Sequence, residues 1–254
     1  MKLGFMSSVC PKYTLPELLA AAKRHGYQGI EPRVEWQHGH GIELSASPKQ
    51  LSAIRHAFAD AGIAISCIAT GCRFQTEDKA QNAAELEKLR QYIPIAAAVG
   101  APVIRIFGDT VPTEAEQLDE ALQRQADAIN SIDALAGQHG VVLGLETHGN
   151  LLASQAAEVI TRAEARHCMI LWHAEHHIRN GESIDRAWVF IKPRLCHYQW
   201  SVVANDVPEA EVARTFSLLK KAGYEGSASV EDINPPDSEA SLKTHAEKFR
   251  QWTV

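Results

Sequence analysis

The sequence predicts an α/β fold, a single (β/α)8 barrel spanning residues 1–254, and three observations predict it. Short β-branched or apolar runs alternate with longer amphipathic segments, and the alternation occurs eight times. Helix starts and ends carry their own signals, in phase with that alternation. Eight βα units in 254 residues is also the size of a barrel, whereas a doubly wound open sheet of this length carries fewer units or a second domain.

In order, the strands are read at residues 3–8, 29–34, 64–69, 103–107, 141–146, 169–173, 195–200 and 227–231, each followed by a helix-like segment. The sixth begins in Cys168-Met-Ile-Leu-Trp172, an apolar run without amphipathic alternation, which suits a strand covered on both faces. Thr14 to Glu17, Ser47 to Gln50 and Thr113 to Glu116 read as capping boxes, with Pro48 at a first helical position. Gly26, Gly62, Gly100, Gly140 and Gly223 each follow a helical segment, where a left-handed terminal residue is needed. No Ser/Gly-rich linker or low-complexity tract marks a boundary, so one domain is expected.

Composition excludes several classes of function. The chain is 45% hydrophobic and 22% charged, as expected of a globular protein, with a net charge of −6 and scattered Lys and Arg. That charge pattern has no footprint for nucleic acid or for an anionic membrane. The amino terminus lacks a signal-peptide core and no later run reaches transmembrane length, so a cytoplasmic protein is expected. Five cysteines without a C-x-x-C pair read as small core residues in a reducing compartment. Neither G-x-G-x-x-G nor G-x-x-x-x-G-K opens a helix, which removes the dinucleotide and P-loop readings.

In a barrel, chemistry collects at the carboxyl ends of the strands. Here the fifth strand ends in Glu146-Thr-His148, the sixth in His173 with His176 close behind, the seventh in His197 and Gln199, and the eighth in Glu231. Any one of these alone is more often a satisfied polar residue at the edge of a core. Two carboxylates at one narrow mouth are costly unless a cation or a proton neutralises them. A mixed set of two Glu and two His suits one divalent ion of the Mn²⁺, Co²⁺ or Zn²⁺ kind better than Mg²⁺ or Ca²⁺. His177 is expected to be exposed and structural.

With this order and spacing the residues resemble the xylose-isomerase-like barrels, which include sugar-phosphate isomerases and epimerases, inosose dehydratases and family 2 apurinic endonucleases. The resemblance rests on Glu146 and His148, on His173, His176, Gly181 and Glu182, on His197 and on Glu231. It implies that Glu146, His173, His197 and Glu231 are metal ligands and that His176 binds substrate. Two departures stand out. The usual Asp ligand of the sixth strand is His173, which removes a negative charge and favours a softer metal. The seventh strand continues as Tyr198-Gln199-Trp200 where many members have x-Lys-Asp, so a phosphate or carboxylate contact is not expected there.

The loop after the second strand, residues 31–41, is dense in polar and aromatic residues: Arg33, Trp36, His38 and His40. It reads either as a solvated crossover or as an overhang at the mouth in which Trp36, His38 and His40 touch a polyol. Arg105, His148 and Gln199 complete the substrate-binding candidates, with Arg73 and Phe74 weaker ones. The leading expectation is a metal-dependent isomerase or epimerase of a ketose or related polyhydroxy carbonyl compound, with Glu146 and Glu231 as acid and base around an enediolate. A metal-dependent dehydratase of a cyclic polyol ketone and a non-catalytic sugar-binding barrel are the alternatives. A three-zinc endonuclease is disfavoured, because the third and fourth strands lack His and no Asp-x-His follows His197. A small sugar or polyol is the expected partner, and a homo-oligomer is left open.

Overall fold

The computed structural model of the protein describes residues 1–202 and 207–253. Nine parallel strands form one nearly closed barrel surrounded by helices: β1 (Lys2–Met6), β2 (Gly29–Glu31), β3 (Ala64–Ile65), β4 (Ile68–Arg73), β5 (Val103–Phe107), β6 (Val142–Glu146), β7 (Cys168–His173), β8 (Leu195–Trp200) and β9 (Ser227–Val230). The order is β3-β2-β1-β9-β8-β7-β6-β5-β4. The ninth strand arises because the third barrel strand is split. Its first half pairs with β2 and its second with β5, with Ser66 and Cys67 between. Across the seam Val34 N donates to Ala69 O (3.1 Å) and Ala69 N donates to Pro32 O (2.9 Å), so the ring closes through single bonds where a continuous strand was expected.

Helices α1 (Leu15–His25), α2 (Pro48–Ala61), α3 (Lys79–Val99), α4 (Ala115–Gln138), α5 (Ala153–Arg162), α6 (Ala174–Arg179), α7 (Ile184–Ile191), α8 (Glu209–Lys221) and α9 (Ser238–Thr253) fill the connections. The boxes at Thr14 and Ser47 form as the spacing predicts. The one at Thr113 does not: α4 starts at Ala115 behind Glu114, with no side-chain cap. Gly26 closes α1 with φ +79°, a left-handed residue that only glycine adopts without cost. The sixth unit carries two helices, α6 and α7, because Gly181 (φ +76°) breaks the segment after His176.

Strand alternation sorts the side chains into layers. Ile104, Ile106, Trp172, Tyr198 and Trp200 are buried against the helices, where Trp172 stacks on Trp188 (5.4 Å) and Trp200 meets Phe216 edge-on (4.8 Å). Inside the barrel, Cys67, Val103 and Leu171 form a small separate apolar cluster with Val142 and Cys196 packed on it. One step further along the strands the interior turns polar, with Arg105, Glu146, His173, His197, Gln199 and Ser229 all buried. The apolar layer is the floor on which that polar set stands. All five cysteines are free, and four are buried. Among the described residues no helix is long and apolar enough to cross a membrane.

Candidate metal and substrate site

Three of the expected ligands come together. Glu146 ends β6, His173 ends β7 and Glu231 follows β9, so each side chain leaves its strand at the same end of the barrel. His173 Nδ1 lies 3.3 Å from Glu146 Oε1 and 3.3 Å from Glu231 Oε2, while its Nε2 lies 3.5 Å from Glu175 Oε2. Thr147 fixes the strand end by accepting from His173 N at 3.0 Å. The donor atoms of Glu146, His173 and Glu231 fall within 4.8 Å of one another, close enough to hold a metal ion; Glu146, His148 and His176 form a second such group. Among the described residues, buried Glu146 Oε2 and Glu231 Oε2 have no hydrogen-bond partner.

The structure does not bring His197 into this group. Its Nε2 lies 2.8 Å from Glu31 Oε2 and 3.0 Å from Ser229 Oγ. In the ladder with β7, His197 pairs with Leu171, and Gln199, two residues nearer the strand end, pairs with His173. Gln199 Nε2 donates to Glu31 Oε1 at 2.6 Å, and its buried Oε1 has no partner among the described residues.

Electrostatics knit the site together. Arg105, buried, places Nη1 3.3 Å from Glu146 Oε2, donates Nη2 and Nε to Thr70 O and lies over Phe107. Burial opposes charge on His173, but the flanking carboxylates of Glu146 and Glu231 outweigh it and hold the imidazole well above its ordinary range. For Glu231 burial works in the other direction and is again outweighed, here by His173 and the two arginines Arg105 and Arg33, so its carboxyl is pulled below the usual range. Burial pushes the Glu175 carboxyl up, although His173 opposes the shift. His176 is driven down to about 2 by burial and by its neighbour His173, so its ring is neutral.

The remaining candidates divide. His148 is sandwiched between Phe107 (4.4 Å) and His176 (4.5 Å), with Nδ1 3.3 Å from Asp109 Oδ1. Together with His173, Glu231 and Ile233 these two histidines line a cavity of about 310 Å³ at the mouth. Trp36 and His38 line a neighbouring cavity. His40 lines neither. Its Nε2 donates to Arg33 O at 3.0 Å and its Nδ1 accepts from Ile42 N at 3.0 Å, so both nitrogens are used in folding the loop, and burial drops its pKa to about 4. His177, expected at the surface, is buried with Nδ1 2.7 Å from Glu182 Oε2, which also accepts from Ala153 N. The Gly181-Glu182 pair is therefore a tie between the β7 loop and α5. Sequence reasoning missed Glu31, Glu175 and the burial of Arg33; the strand-end position of Glu31 was the available signal for the first.

The fold is shared with known proteins. The structure is similar to L-ribulose 3-epimerase (TM-score 0.80, 19% identity, covering 99% of this chain and 94% of that one). It is also similar to D-psicose 3-epimerase solved in the presence of D-fructose (0.76, 18%, 96% and 89%). A third is the probable 3-DHS dehydratase AsbF of Bacillus anthracis, involved in petrobactin synthesis (0.79, 17%, 98% and 99%). No curated protein sequence matches the chain. The family described as xylose isomerase-like TIM barrel matches residues 19–252, nearly the whole length that the strands and helices occupy. The chain belongs to the xylose isomerase-like TIM barrel family.

Proposed function

We propose that the protein is a metal-dependent epimerase or isomerase of a ketose or related polyhydroxy carbonyl compound, with Glu146 and Glu231 as its acid–base pair. One observation carries the reading: two carboxylates from different strands meet on one imidazole, each 3.3 Å from His173 Nδ1, beside a cavity of about 310 Å³. That volume lies at the small end of ligand pockets, the right range for a sugar. The sugar epimerases among the similar structures support the substrate class.

The residues fit a divalent cation, because donor atoms of Glu146, His173 and Glu231 lie within 4.8 Å of one another and Glu146 Oε2 and Glu231 Oε2 are buried without a hydrogen bond. Glu146, His173 and Glu231 would hold it, and Gln199 Oε1, unpartnered and level with His173, offers a fourth donor. When bound it supplies Lewis-acid polarisation of a carbonyl, with Mn²⁺, Co²⁺ or Zn²⁺ preferred over Mg²⁺ because one donor is an imidazole. One glutamate then takes the proton from the carbon beside the carbonyl, and the resulting enediolate is reprotonated by the other on the opposite face. The donor glutamate starts the cycle carrying a proton and the acceptor ionised; exchange of both with solvent restores that state, and the two exchange roles in the reverse direction. His148 and His176 line the cavity and donate to substrate hydroxyls.

Glu146→Gln or Glu231→Gln keeps the shape and one oxygen but removes the base. Each is expected to lower epimerisation of a ketose by about 10²- to 10⁴-fold, while metal content read by mass spectrometry persists. Activity retained in both variants would remove the pair from the mechanism.

A further inference from the structure

A second cavity of about 310 Å³ adjoins the first, and its chemistry is different. Ile233 lines both, since residues 231–234 run between them. The first has Glu231 and Asp232 in its wall. The second has no carboxylate: Lys12, Arg33 and His38 face it, with Trp36 and Asn234.

Arg33 is the informative residue. It is 9% exposed, and its buried Nε and Nη1 have no hydrogen-bond partner among the described residues. A guanidinium kept from water without acceptors is costly unless something else supplies them. It is also held in place. Arg33 N donates to Ser7 Oγ at 2.8 Å, its carbonyl accepts from His40, and its guanidinium sits 4.0 Å over the Trp36 ring. The same Ser7 Oγ lies 2.8 Å from His38 Nδ1, so the second donor is fixed by the hydroxyl that fixes the first. A planar, pre-positioned fork with a lysine at its rim is the arrangement that recognises an oxyanion.

We propose that this cavity is an oxyanion subsite, and that the substrate turned over at Glu146 and Glu231 carries a terminal carboxylate or phosphate that Arg33, Lys12 and His38 hold. The proposal rests on the epimerase reading for the identity of the substrate, but not for the binding of the anion. It also gives a purpose to the β2–α2 loop, whose His40 spends both nitrogens on shaping the segment around Arg33.

The test is titration calorimetry of the purified protein with inorganic phosphate and, separately, with acetate, before and after a chelator, in wild type, Lys12→Gln and Arg33→Gln. Saturable one-to-one binding that survives the chelator is expected, weakened about 3- to 10-fold in Lys12→Gln and lost in Arg33→Gln. Lys12 is exposed, so its variant keeps the test open if the Arg33 variant does not fold. Tighter phosphate identifies a phosphate ester as the substrate's terminus, and tighter acetate identifies a carboxylate. Binding that vanishes with the chelator places the anion on a metal and overturns the subsite, as does saturation by neither anion or unchanged affinity in both variants. No turnover enters the readout, so an enzyme that binds the anion but fails to epimerise loses only the reaction, and one that epimerises neutral ketoses without binding anions loses only the subsite.

Discussion

His173 is the residue on which the chemistry of the site turns, because it faces Glu146 and Glu231 through one nitrogen and Glu175 through the other. Replacing its imidazole by a carboxylate restores a hard oxygen donor. His173→Asp is therefore expected to raise the Mg²⁺-to-Mn²⁺ activity ratio; an unchanged ratio, with wild type equally active on both ions, would contradict the assignment of His173 as a ligand. The variant also strips Glu175 of its partner, and the burial that already pushes that carboxyl up lets it accept a proton instead. Asp109 provides a pH test away from the proposed ligands. Its hydrogen bond to His148, against some burial and with Arg73 alongside, holds it down at about 2 from an ordinary 3.8. A depressed carboxyl contributes stability above its unfolded pKa and loses it as pH falls through the folded value. Asp109→Asn should cost about 1–2 kcal/mol above pH about 5, a cost that shrinks as pH falls through about 2 and is gone by about pH 1, measured by urea unfolding across that range. A cost that persists at the acid end would mean that packing, not charge, is what Asp109 supplies.

At the scale of elements, most of what the sequence predicted about strands follows from apolar runs, and what it did not predict follows from pairing. Residues 103–107 and 195–200 form strands as read, because Ile104, Ile106, Tyr198 and Trp200 bury an outer face while the alternate residues point inward. The split of the third strand was not legible, since a seam between the end of β2 and β4 depends on where other strands stop. The partner of His197 was illegible for a similar reason. His197 and Gln199 share a strand face and both meet Glu31 of β2, a pairing that no local sequence pattern announces. The β2–α2 loop shows how an element without regular structure is held. A Cβ added at Gly39 would lie 2.5 Å from Tyr13 O and 2.9 Å from Thr14 Cα, both backbone atoms that cannot give way cheaply. Leu15 N also donates to Gly39 O at 3.0 Å. Gly39→Ala is thus expected to push the loop off α1, lowering the melting temperature by several degrees and raising KM more than it lowers kcat, because Glu146 and Glu231 sit on other elements. An unaltered KM would show that the loop has no part in holding substrate.

Taken as a whole molecule, the barrel replaces the upper part of its apolar filling with a charged network. Glu31, Glu146, Glu175 and Glu231 are drawn together with Arg33, Arg105 and His173 above the floor of Cys67, Val103 and Leu171. Ion pairs buried this way add little net stability, and losing one partner is strongly destabilising, so their arrangement is better explained by chemistry than by folding. Glu146, Glu231 and His173 were legible because strand ends announce themselves in a βα repeat; Glu31 and Glu175 were not picked out. Arg105 was a candidate from its strand, but its burial and that of Arg33 were not legible, since nothing in a lone arginine's sequence context says that it will be buried. The central claim is that two glutamates of this network move a proton on and off a carbon beside a carbonyl. Solvent exchange tests it most directly: the protein, loaded with Mn²⁺, is incubated with a ketose in D₂O and the sugar is read by NMR. Deuterium at the reacting carbon of both substrate and product is the predicted result, abolished in Glu146→Gln and Glu231→Gln; turnover in which the carbon-bound hydrogen is fully retained would contradict the proton-transfer account and point to hydride transfer instead.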